Sequence, residues 1–272
     1  MTSSSGSGDR ILAIIDLFTE ERPEWLPDEM MQALGYSRPT LYRYLKSLKN
    51  AGFLSSLPNQ GFTLGPKVTE LDFLMQRADL VVAKGQAALK DLARQFVCSA
   101  FITRWYNDKI LCVASEVSTT TPLSSYQRGR PMPLSRGAIS RVIVANLTKN
   151  QRLNFINRHL EEARLAGWGS SFEEINNGLL KERRSGVAVA YGQVTAGVVG
   201  IAAPILTGKD APIAALCVTV EQSLITDDLL GQIKISVAQH ARTISISLEC
   251  DRPALSLEHQ SSAQKRTAYE KN

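Results

Sequence analysis

Gly35-Tyr36-Ser37-Arg38-Pro39-Thr40-Leu41-Tyr42-Arg43-Tyr44-Leu45 is the stretch on which the fold turns. Ser37 stands where a hydroxyl can accept the first free amides of a helix, and Pro39 is tolerated in a first turn, whose amides lack intrahelical partners. Leu41, Leu45 and Leu48 recur at helical spacing and mark a stripe to be buried. Arg38, Tyr42, Arg43, Lys46 and Lys49 fall largely outside that stripe. Gly52 ends the helix as a C-terminal glycine cap. Working outward, Ile11, Ile14, Ile15 and Phe18 predict a helix over 9–18. Pro23 and Pro27 break the chain, and Met30, Met31 and Leu34 give a short helix over 28–34 its apolar face. On the other side, 53–55 and 61–64 read as short strands joined by the turn-rich Pro58-Asn59-Gln60-Gly61.

Helix, short helix, tight turn, capped basic helix and hairpin is the order of a winged helix-turn-helix, expected over 9–66. In that arrangement the second helix of the pair enters a DNA major groove by its N-terminal end. The residues expected at double-stranded DNA are Ser37, Arg38, Pro39, Thr40, Tyr42, Arg43 and Lys46. Arginine pairs bidentately with guanine, and threonine or tyrosine touches thymine methyls or phosphates. Charge supports this placement. No acidic residue stands between Glu29 and Glu70, while Arg38, Arg43, Lys46, Lys49 and Lys67 lie in that gap. Such a block attracts a phosphate backbone through counterion release. A solvated helix face, or a three-helix core used for protein docking, would show the same charges.

The rest of the chain bounds the function. At about 150 residues per domain, 272 residues suggest two domains, and 44% hydrophobic with 21% charged residues is ordinary globular composition. No apolar run approaches the length of a membrane span, and 1–8 is a Ser/Gly-rich leader with no signal-peptide pattern. Cys98, Cys112, Cys217 and Cys250 are scattered without a CxxC, as in a reduced, cytoplasmic protein. A linker helix is expected over 67–82, with Val68, Leu71 and Leu74 on one side, and a second helix up to Phe96. From Val97 the period changes to that of strands, at 97–105, 109–115, 123–127, 187–193, 198–206 and 213–220. Helices are expected at 135–146, at 149–158, from a Ser171/Glu174 capping box to 184, and from a Thr226 cap to about 250. The expected fold class is therefore α+β, with a mainly antiparallel sheet over 83–252. Residues 253–272 are polar and unpatterned, a disordered tail.

Nothing in the sequence supports catalysis, a cofactor or a metal. Gly208-Lys209 lacks the rest of a phosphate loop, there is no GxSxG, and His159, His240 and His259 are too dispersed for a ligand pair. The SxxK spacing of Ser262 and Lys265 falls in the tail.

The pattern resembles the isocitrate lyase regulator (IclR) family of bacterial transcription factors over residues 9–250. The stretches that carry the resemblance are Arg10-Ile11-Leu12-Ala13-Ile14-Ile15-Asp16-Leu17-Phe18, the Gly35 to Leu45 run, Gly52-Phe53-Leu54 and Phe62-Thr63-Leu64-Gly65-Pro66-Lys67. Gly129-Arg130-Pro131-Met132-Pro133-Leu134, Gly186-Val187-Ala188-Val189 and Ile201-Ala202-Ala203-Pro204-Ile205 follow in the family's order. The resemblance implies a DNA-binding homodimer or tetramer (a dimer of dimers) with a GAF-like domain that binds a small organic acid. It also implies where this chain departs. Members that bind small oxoacids carry polar anchors at positions that here read Ala190, Gly200, Cys217 and Thr219, and their helix start is here Ser135-Arg136-Gly137-Ala138-Ile139-Ser140-Arg141. The expected effector is therefore larger, an aromatic carboxylic acid from a catabolic pathway. Its carboxylate is expected on the free amides of Gly137, Ala138 and Ile139, with Arg104 or Arg130 alongside, and its ring against Leu123, Tyr126 and Met132. Two other readings fit the residues: an effector-free architectural DNA-binding oligomer, and a metabolic enzyme with a helical docking domain.

Overall fold

The computed structural model describes residues 6–106, 109–118, 127–208 and 211–250. Contacts divide the chain into two units between Asp79 and Leu80.

In the first unit, α1 (Ser7–Ile15), α2 (Pro27–Leu34) and α3 (Arg38–Asn50) are followed by β1 (Leu54–Ser56), β2 (Phe62–Leu64) and α4 (Pro66–Ala78). The first helix starts earlier than its apolar stripe suggests, because the Asp9 carboxylate accepts the Gly6 amide at 2.9 Å. Pro27 opens α2 rather than merely breaking the chain, and Gly35 closes it at φ 68°. Ile14, Met30, Leu41, Tyr44, Leu45, Leu48 and Leu54 form the unit's buried core. Beyond α3, the Gly52 amide reaches the Lys49 carbonyl at 3.0 Å and the Phe53 amide the Leu48 carbonyl at 2.9 Å. Gly52, at φ 78°, thus makes the paired bonds of a Schellman cap. The hairpin pairs Leu54 with Leu64 and Ser56 with Phe62, and Trp25 bridges to Phe62 on the outer side. This single bridge ties the segment before α2 to the two-stranded wing, and the indole Nε1 of Trp25 donates to the Leu17 carbonyl at 2.9 Å.

The linker helix expected over 67–82 and the second helix expected up to Phe96 meet earlier than 82. Asp79, at ψ 101°, sets the boundary: α4 ends at Ala78 and α5 (Leu80–Gln95) begins the second unit. No residue of α4 is buried.

The second unit continues with β3 (Ser99–Tyr106), β4 (Lys109–Val117), β5 (Pro131–Met132), α6 (Ala138–Asn146), α7 (Lys149–Arg158), α8 (Leu160–Leu165) and α9 (Phe172–Ser185). It ends with β6 (Ala188–Tyr191), β7 (Val198–Thr207), β8 (Ala211–Glu221) and α10 (Asp227–Cys250). The strands form one sheet in the order β5-β4-β3-β8-β7-β6, with every neighbouring pair antiparallel. Strand alternation divides its side chains. Ala100, Ile102, Ala214, Leu216 and Val218 join α5 and α10 in one core. Phe101, Cys112, Ala188, Ala202, Ala215 and Cys217 join α6 in another. Behind α6, a third cluster around Trp168, Ile175 and Leu179 closes the unit.

The helix expected from 135 starts at Ala138, because Gly137 sits at φ 90° and ψ 163°, outside any helical region. Ser171 accepts the Glu174 amide at 3.2 Å, but the Glu174 carboxylate turns to Ser170, whose amide it accepts at 2.8 Å. The reciprocal half of the capping box is thus moved by one residue. The short α8 was not anticipated. Thr226 does cap α10, accepting the Leu229 amide at 3.2 Å. The strand expected at 123–127 and the tail at 253–272 lie wholly or mostly outside the described residues.

Candidate nucleic-acid interface and candidate effector cavity

On α3 the buried residues are Leu41, Tyr44, Leu45 and Leu48. Their spacing leaves Ser37, Arg38, Pro39, Tyr42, Arg43 and Lys46 exposed, with Thr40 half-buried. Ser37 occupies the N-cap position but accepts no amide. Pro39, the second residue of the first turn, supplies no amide donor, and the Ser37 hydroxyl donates to the Thr40 hydroxyl at 3.0 Å. The Arg38 guanidinium lies 5.6 Å from the Tyr42 ring centroid, and that of Arg43 lies 5.1 Å from the Tyr44 ring. Both arginines are thus steered along the helix surface by aromatic faces. The result is one cationic, solvent-facing helix end on a rigid apolar base.

The second unit holds a cavity of about 470 Å³, counted to its open mouth, between the sheet and the start of α6. Its floor follows from register. Ala190 lies opposite Gly200, Gly200 opposite Thr219, and Cys217 opposite Phe101. Small residues in one row across β6, β7 and β8 leave the space that larger side chains would fill. Met132, Gly137, Ala138 and Ile139 form one wall, and Gln193, Val194 and Thr195 from the β6–β7 loop form the other.

Eight of the expected effector residues meet here: Met132, Gly137, Ala138, Ile139, Ala190, Gly200, Cys217 and Thr219. Arg104 does not. It pairs with Ala214, whose side chain belongs to the α5/α10 core, so alternation along β3 places it on the other face of the sheet from Phe101. Arg130 does not line the cavity either; its carbonyl accepts the Cys112 amide at 3.3 Å in the approach to the edge strand β5. Leu123 and Tyr126 lie outside the described residues. The arginine among the described lining residues is the exposed Arg136, in the sequence only one position of the stretch before α6. Its position just before a glycine-broken helix end was the available signal. Phe101, Gln193, Val194 and Thr195 were missed because loop closure over a sheet leaves no periodicity to read.

Cys217 in the cavity floor and Cys112 in the core beside it are not activated thiols. Burial pushes the Cys112 thiol up to about 11 and raises that of Cys217 further, so both are neutral thiols near pH 7. Among the described residues no group of three or more His, Cys, Asp or Glu could hold a metal ion. No described helix is long and apolar enough to cross a membrane.

Behind the cavity, Arg141 on α6 makes an ion pair with Glu182 on α9 and donates to the Val189 carbonyl at 3.0 Å. It fixes the start of α6 against β6 next to Ala190. Ser135, itself buried, donates to Glu162 and ties down the approach to the same helix.

Both units have counterparts in known proteins. Residues 7–58 match the IclR helix-turn-helix domain, and 74–246 match the bacterial transcriptional regulator IclR C-terminal domain. The HTH-type transcriptional regulator XynR of Escherichia coli K12 is 23% identical over 243 residues, covering 89% of this chain and 96% of that protein. The crystal structure of an IclR transcriptional regulator from Alicyclobacillus acidocaldarius superposes with a TM-score of 0.75 at 20% identity, covering 90% of this chain and 99% of that one. An IclR homologue of Microbacterium hydrocarbonoxydans, solved with 4-hydroxybenzoate, gives a TM-score of 0.71 at 15% identity, covering 89% of this chain and 99% of that one. With both domains matched in order along nearly its whole described length, the chain belongs to the IclR family of bacterial transcriptional regulators, DNA-binding proteins with a helix-turn-helix head and a C-terminal effector domain.

Proposed function

We propose that this regulator binds operator DNA through α3 and is controlled by an aromatic carboxylic acid held in the cavity of its second unit. The observation that carries the effector reading is the cavity's chemistry. Its floor is small and largely apolar, Ala190, Gly200 and Cys217, and Arg136 lines it beside the amide end of α6. Among the described residues Arg136 has no hydrogen-bond or ion-pair partner. A ring fits against Phe101 and Met132, while a carboxylate meets Arg136 and the helix N-terminus. The 4-hydroxybenzoate held by the Microbacterium homologue is a ligand of this class.

At the DNA end, Arg38 and Arg43 reach base edges, Ser37, Thr40 and Tyr42 contact phosphates or thymine methyls, and Lys46 neutralises a phosphate. Pro39 sets the helix start. Operation as a homodimer or dimer of dimers is supported by α4, where Val68, Leu71, Phe73, Leu74 and Met75 are all exposed. A helix with so much uncovered apolar surface fits a partner copy. Effector control then requires different affinity of the acid for two arrangements of the DNA-binding heads.

Calorimetry with a panel of acids tests the effector. Benzoate and hydroxybenzoates are expected to bind more tightly than glyoxylate or pyruvate. Binding of short oxoacids alone would overturn the proposal.

A further inference from the structure

The cavity contains its own acceptor for the donor that an acid would use. The side-chain carbonyl Oε1 of Gln193 accepts the Gly137 amide at 3.0 Å. Gly137 is the N-cap of α6, at φ 90°, so this amide is one that the helix itself cannot satisfy. The contact is a close one: a Cβ built on Gly137 would lie 2.8 Å from Val194 Cγ2. Gln193, Val194 and Thr195 all line the cavity. They sit in a loop bounded by Gly192 at φ 62° and Gly197 at φ 74°. The base of that loop is pinned by main-chain bonds, Gly192 amide to Val198 carbonyl at 2.9 Å and Gln222 amide to Gly197 carbonyl at 2.8 Å. Its tip is pinned to α6 by the Gln193 side chain.

We infer that Gln193 is a built-in competitor for the effector's carboxylate, latching the β6–β7 loop onto α6 until an anion displaces it. This rests on the effector cavity proposed above. The physical basis is a ranking of acceptors. An ionised carboxylate makes amide hydrogen bonds roughly twice as strong as a neutral carbonyl does, and the positive end of α6 favours it further. A carboxylate can therefore displace the glutamine. A neutral amide or ester offers only the same kind of acceptor that Gln193 already supplies. The displaced side chain frees the loop tip while its pinned base stays, so occupancy of the cavity is converted into a local rearrangement at the end of β6.

The test compares the full-length wild type with Q193L, which keeps similar bulk without an acceptor, and Q193E, which places a carboxylate at the amide permanently. Calorimetry with benzoate reads affinity, and hydrogen exchange at the Gly137 amide reads the latch without ligand. Q193L is expected to bind benzoate about two- to tenfold more tightly than wild type, the range set by the net worth of one hydrogen bond. Q193E is expected to bind it more weakly than wild type. Equal or weaker benzoate binding by Q193L would overturn the inference. Exchange at Gly137 is expected to be slow in wild type and faster in Q193L. If benzoate binds none of the three forms, the aromatic-acid reading fails by itself. In that event, slow exchange in wild type with fast exchange in Q193L supports the latch, and equal exchange in the two overturns it.

Discussion

The carbonyl oxygen of Gly52 occupies the place that a side chain on Gly65 would need: a Cβ built there would lie 2.2 Å away from it. Gly65 has φ −94° and ψ 172°, ordinary extended backbone, so the requirement for glycine is one of space and not of torsion. The approach is cemented by the Gly65 amide on the Phe53 carbonyl at 2.7 Å and the Lys67 amide on the Gly52 carbonyl at 3.0 Å. Together they lock the end of α3 to the exit of the wing. Gly65→Ala is expected to destabilise the first unit by about 1–3 kcal/mol, the cost of forced overpacking. The measurement is a lowered urea midpoint, accompanied by weaker DNA binding.

The Arg141–Glu182 pair gives a second prediction. Burial raises the Glu182 carboxyl above the ordinary range, against the pull of Arg141. A carboxyl with a raised folded pKa binds more protons folded than unfolded. Its contribution to stability is thus fully present below the ordinary carboxylate pKa and is lost as pH rises through the window up to the raised value. Urea midpoints measured from pH 4 to 7 should therefore show a smaller loss with rising pH in Glu182→Gln than in wild type. Glu182→Ala leaves Arg141 without its partner and should cost about 3 kcal/mol.

Thiol reactivity offers a third. Cys98, Cys112 and Cys217 are buried and Cys250 is exposed. Burial also pushes the Cys98 thiol up to about 12. A native-state titration with an aromatic disulfide at pH 8 is expected to modify Cys250 rapidly and the other three only after denaturation. Fast modification of Cys217 would mean that the cavity floor is more open than described.

The exposed face of α4 gives a fourth. Leu71 and Leu74 are 41% and 51% exposed. Replacing both by Glu should leave the melting temperature of the first unit nearly unchanged, because neither residue is buried within the chain. Light scattering is expected to show a smaller assembly. An unchanged mass would place the homo-oligomer interface elsewhere.

Much of the first unit was legible because its signals are local. The Leu41, Leu45, Leu48 stripe, the Gly52 cap and the turn before β2 each follow from a few neighbouring residues. The floor of the cavity was legible only through the family resemblance, in which small residues at 190, 200 and 217 stand in place of polar anchors. What could not be read depended on which face of a strand met which helix. Arg104 was assigned to the cavity from charge alone, although its partner Ala214 lies in the opposite core. Arg136 and Gln193 are far apart in sequence, and only the fold of β6 beside α6 brings both to one cavity. Hydroxyl geometry was equally hidden: nothing in the sequence showed that Ser37 would turn to Thr40.

We propose that DNA is read by α3 while a separate cavity senses the acid. The most direct test is the dissociation constant of Arg43→Ala for a duplex selected from the host genome by the wild type, measured at fixed salt, with benzoate affinity measured in parallel. Operator binding is expected to weaken about tenfold or more, the usual cost of losing a base-reading arginine, with benzoate affinity unchanged. Undiminished operator binding by Arg43→Ala would contradict the placement of α3 in the groove.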